Sequence, residues 1–76
     1  MNPTHMTDDE FVAEMNNEIK KDENYKNGMY VKNIGSGYTL EQNGVELQSP
    51  DFSAMLSKAH HAVVKLANER AGNTKE

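Results

Sequence analysis

This sequence predicts an α+β fold in the order α-β-β-β-α, with a three-stranded antiparallel sheet packed against a long C-terminal helix. Three observations lead there. Apolar residues recur at helical spacing in two segments, near residues 8–21 and 50–70. Between them, Asn43-Gly44 separates two runs of strand-forming residues, the strongest short-range signal for a two-residue type I′ hairpin. A second turn at Gly35-Ser36 aligns a preceding strand so that both hairpins bury the same face.

The first helix opens on Thr7-Asp8-Asp9-Glu10. This spacing lets the Thr7 hydroxyl accept from the Glu10 amide while the Glu10 carboxylate reaches back. Advancing 100° per residue groups Phe11, Val12, Met15 and Ile19 into one apolar stripe. Residues 22–28 have Asn-Gly punctuation and no periodicity, and read as a loop.

Three short strands follow, at 29–34, 38–42 and 45–48. Their register places Val31, Leu40 and Leu47 in one buried row and Tyr30, Glu41 and Glu46 in an exposed one. Ser49 then caps a second helix, with Pro50 at its first position and Asp51 favoured by the dipole. Phe52, Met55, Leu56, Ala59, Ala62, Val63, Leu66 and Ala67 fall in one broad arc. The helix is expected to reach about Arg70, with Gly72 as terminator.

With 76 residues and 36% hydrophobic content, the chain has room for one domain and a thin core. The expected limits are a flexible lead at 1–6, a single domain at 7–71 and a flexible tail at 72–76. A domain this small draws only about 3–5 kcal/mol from its core. Cysteine is absent, which excludes disulfides and thiolate metal sites. Self-association is the remaining staple, so a homodimer is one expectation. No apolar run approaches a membrane span or a secretory core, which points to the cytoplasm.

Charge is unevenly spread. Residues 1–28 hold seven acids against three lysines, a surplus of four, while residues 29–76 hold five of each sign. The net charge of −4 therefore belongs to the N-terminal part alone. Glu10, Glu14 and Glu18 follow i,i+4 spacing, and like charges so placed destabilise a helix. Glu41 opposite Glu46 repeats the conflict across strands. Two readings of these acids stand side by side: a solubilising face, or a docking strip whose repulsion a basic partner converts to attraction.

Other constellations are weaker. His60 and His61 are adjacent on a helix, so their rings point about 100° apart and cannot jointly grip one metal. Residues 22–33 miss the calcium-loop pattern, with Lys26 at the fifth ligand position and Asn33 where a glutamate is required. A strand, rather than a helix N-terminus, follows Gly35-Ser36-Gly37, so it is not a phosphate cradle. Ser57 and His61 are spaced i,i+4 but lack an orienting third group and an oxyanion donor cluster. The expectation is a binding protein with no catalytic, metal or cofactor residues.

Two resemblances add to this reading. The α-β-β-β-α order and the segment from Ser57 to Ala67 resemble the end of a double-stranded RNA-binding domain. That family places a basic cluster at the start of its last helix, where this chain has only Lys58. The size, acidity, lack of cysteine and helix–hairpin–helix plan are similar to small phage-encoded inhibitors, including anti-CRISPR proteins that occupy nucleic-acid-binding surfaces.

The resulting expectation is a small acidic inhibitor that occupies a basic surface of a larger protein in the cytoplasm, the host's if phage-encoded. Asp8, Asp9, Glu10, Glu14, Glu18, Glu41 and Glu46 supply charge, and Tyr30 an amphipathic anchor. Two alternatives remain open. A nucleic-acid-binding module would gather Lys32, Lys58, Lys65 and Arg70 on one face. A structural or oligomerising accessory protein would present an apolar dimer face.

Overall fold

The computed structural model describes the backbone of residues 6–75 and the side chains of residues 6–70. Its elements run α1 (Asp8–Lys20), β1 (Met29–Asn33), β2 (Tyr38–Gln42), β3 (Val45–Glu46) and α2 (Pro50–Lys75), the α-β-β-β-α order read from the sequence. The three strands form one antiparallel sheet in the order β1-β2-β3.

Local chemistry sets each boundary. Thr7 Oγ1 accepts from the Glu10 amide at 3.1 Å, and Glu10 Oε1 accepts from the Thr7 amide at 3.0 Å, completing the capping box. At the other end, the Lys21 amide donates to the Glu18 carbonyl at 3.1 Å. Asn43 and Gly44 have φ values of 56° and 84°, the pair of left-handed residues a type I′ hairpin needs. At the other hairpin only Gly35 has a positive φ, 87°, and the Ile34 amide donates across the turn to the Gly37 carbonyl. Ser49 Oγ accepts from the Asp51 amide at 3.2 Å and opens α2.

The predicted register holds. Val31 faces Leu40, Tyr30 faces Glu41, and Glu41 faces Glu46. β3 is shorter than expected, yet the Leu47 amide still donates to the Leu40 carbonyl at 2.9 Å.

One apolar layer joins the elements. Met15 and Ile19 of α1 are 0% and 1% exposed and pack with Met29, Val31 and Leu40 of the sheet and Met55 and Val63 of α2. Fully burying such a side chain contributes about 1.5–3 kcal/mol. Both helices therefore lie on one side of the sheet, and α1 packs along both β1 and α2. The sequence points to α2 over this face, and α1 joins it there. Among the described residues, no helix lies on the opposite sheet face.

The ends differ from expectation as well. Residues 1–5 and 76 of the expected lead and tail lie outside the described residues. Met6, assigned to the lead, is buried in the core cluster. The helix α2 continues through Gly72 to Lys75 instead of stopping there. A glycine stop is normally reinforced by an apolar residue just beyond it, and Asn73-Thr74 supplies none.

Candidate interaction surface

The eight residues expected to meet a partner fall into two groups on opposite sides of the sheet. Asp8, Asp9, Glu10, Glu14 and Glu18 lie on α1, whose buried stripe faces the core layer. Tyr30, Glu41 and Glu46 lie on the face that no helix covers. The structure does not bring these groups together.

On α1, three acids fill the first turn, where the helix dipole favours negative charge. Glu10 is engaged in the capping box. Glu14 Oε2 lies 3.9 Å from Arg70 Nη2, and Glu18 Oε2 lies 3.0 Å from Lys21 Nζ. Both pairs are at the surface, where a pair contributes about 0.2–1 kcal/mol. Asp8 and Asp9 are exposed and form no ion pair among the described residues.

The open sheet face is more internally satisfied than the alternating pattern implied. Glu41 is only 9% exposed, a correction to its expected place in an exposed row. β2 is the central strand, so side chains from both neighbours fold over it. The Tyr30 hydroxyl donates to Glu41 Oε1 at 2.9 Å, and Lys32 Nζ approaches Glu41 Oε2 at 3.8 Å. Glu46 turns away, its Oε2 accepting from the Thr39 hydroxyl at 2.7 Å. The cross-strand repulsion between Glu41 and Glu46 is thus relieved by separate partners within the protein. Tyr30 is 37% exposed, and Glu41 pushes its hydroxyl pKa up by accepting its proton in a hydrogen bond.

Three features escaped the sequence reading. The Asn16 side chain brackets the edge of β1, its Oδ1 accepting from the Val31 amide at 2.6 Å and its Nδ2 donating to the Val31 carbonyl at 3.5 Å. Its position at the margin of the α1 stripe, four residues after Val12, was the available signal. Asp22 accepts from the Asn24 amide at 2.8 Å and pairs with Lys58 Nζ at 3.0 Å. The amide bond first and Lys58 second hold its carboxyl below the usual range. Thirdly, Phe11, Tyr38 and His60 gather their rings at one spot, although they are distant in sequence. Only the flanking position of His60 on the α2 arc hinted at this.

Three of the cations a nucleic-acid-binding module would need stand beside carboxylates: Lys32 by Glu41, Lys58 by Asp22 and Arg70 by Glu14. Among the described residues, no group of three or more His, Asp or Glu side chains is placed to hold a metal ion. No helix among them is long and apolar enough to cross a membrane. Comparison with protein-family models, with curated proteins and with solved structures finds no match to this chain.

Proposed function

We propose that this protein is a small interaction module that docks on a basic, nucleic-acid-binding surface of a larger protein and competes there with nucleic acid, in the manner of a host-defence inhibitor. The observation carrying this reading is the α1 surface. Two aspartates, Asp8 and Asp9, stand exposed in the first turn and form no ion pair among the described residues, on a helix anchored in the core by Met15 and Ile19. Charges fixed on a rigid helix lose less entropy on binding than flexible ones. Glu14 and Glu18 lie one turn apart on another side of the same helix. Their surface pairs with Arg70 and Lys21 are weak enough to exchange for a partner's cations.

Each exposed pair contributes little alone, so the charge acts mainly on the rate and orientation of encounter. Lys32 and Lys58 stand beside the shielded carboxylates of Glu41 and Asp22, which weighs against direct binding of nucleic acid, since that requires phosphate neutralisation. The test is affinity capture from a host lysate with elution by rising salt, followed by nucleic-acid competition against the captured protein. The double variant Asp8→Asn/Asp9→Asn should associate more slowly at low salt. Equal association rates for the variant and the parent, or a captured protein that nucleic acid does not displace, would overturn the reading.

A further inference from the structure

Three rings from three elements meet on one side of the molecule. Phe11 of α1 and Tyr38 of β2 stack nearly parallel, with centroids 5.3 Å apart and 10° between their planes. His60 of α2 tilts against both, at 5.7 Å from Phe11 and 6.1 Å from Tyr38. Tyr38 and His60 also line an open groove of about 370 Å³, together with Met15, Leu56, Ser57 and His61. Along α1, Phe11 has Asp8 three residues before it and Glu14 three residues after it, each about one turn away.

We infer that this groove seats an arginine side chain projecting from the basic partner. The inference rests on the acidic-docking reading above and names the residue type it captures. Aromatic faces carry partial negative charge and attract cations. A guanidinium is flat and weakly hydrated, so it stacks on a ring with little loss of solvation, whereas an ammonium holds its water tightly. The guanidinium N–H donors meet an acceptor at the rim in the Ser57 hydroxyl. The net charge of −4 complements that of an arginine.

A phosphate or nucleotide in the same groove would face the net charge of −4 and the carboxylates of α1. An apolar side chain would use Leu56 but leave the Ser57 hydroxyl without a role. Arginine uses the whole lining.

The test compares octa-arginine with octa-lysine, two probes of equal charge, by fluorescence anisotropy at low ionic strength. It uses the parent protein, His60→Ala and Tyr38→Leu, with circular dichroism as the fold control. Since His60 is exposed, its truncation keeps the test usable should Tyr38→Leu unfold. The expected result is that the affinity ratio of octa-arginine to octa-lysine falls roughly two- to five-fold in the variants, as loss of a cation–π contact at an exposed site implies. If the ratio stays the same while both peptides bind and Asp8→Asn/Asp9→Asn weakens both, the arginine seat is refuted and the acidic-docking reading survives. If neither peptide binds the parent protein, both are refuted.

Discussion

Replacing Asn16 with alanine tests how the sheet edge is closed. β1 is an edge strand, and Val31 presents its amide and carbonyl away from β2. Asn16 Oδ1 takes that amide at 2.6 Å. Truncation leaves the N–H of a residue that is 2% exposed without this acceptor, which costs about 1–3 kcal/mol. Alanine is also a better helix former than asparagine by about 0.5–0.7 kcal/mol, which masks part of the loss. Asn17→Ala supplies the correction, because Asn17 is exposed on the same helix and receives the same propensity gain. The two variants should therefore differ by about 1–3 kcal/mol, with Asn16→Ala the less stable. For a domain of this size, each kcal/mol moves Tm by about 4–8 °C. Thermal and urea melts followed by circular dichroism measure the difference directly. Melting of the two variants within about 1 °C of each other would refute the claim that Asn16 closes this edge.

Three further outcomes follow from the same contacts. Asp22 has a lowered folded pKa, so it adds stability that is fully present above its ordinary value of 3.8 and is lost as pH falls through the lower folded value. Asp22→Asn should be less stable than the parent at neutral pH, and urea midpoints should converge as the solution is acidified below that range; a constant gap would contradict the assignment. Tyr30 has the opposite sign: its raised pKa adds stability that is present below 10.0 and lost as pH rises through the folded value. Tyr30→Phe should remove the latest-titrating phase from an alkaline ultraviolet titration, and survival of that phase would place it elsewhere. Gly72→Ala should raise helicity and stabilise the protein by up to about 1 kcal/mol, because α2 continues through this position. A loss of stability would instead signal a left-handed stop there.

Partner chemistry is divided by the fold into two unlike surfaces. The α1 acids combine weak, exchangeable pairs with two aspartates that have no ion pair among the described residues, whereas Glu41 is shielded by Tyr30 and Lys32. A docking partner can therefore recruit α1 charge without dismantling structure. Recruiting Glu41 would require breaking a hydrogen bond at the centre of the sheet.

The starts of both helices, the two turns and the register were legible because short-range chemistry decides them. The Thr7–Glu10 box, the Asn43-Gly44 turn and the Gly35-Ser36 turn each involve residues within four positions of one another, and period-two alternation then allowed one register for β1 and β2. What each carboxylate does depends on residues far along the chain. Glu14 meets Arg70, Asp22 meets Lys58 and Asn16 meets Val31 only because α1 packs between β1 and α2. The amino-acid order determined the elements and the sign of the surface. Tertiary packing alone decided which charges stay available, because side-chain pairing depends on distance in space, and helical or strand periodicity carries no information about what lies across the core.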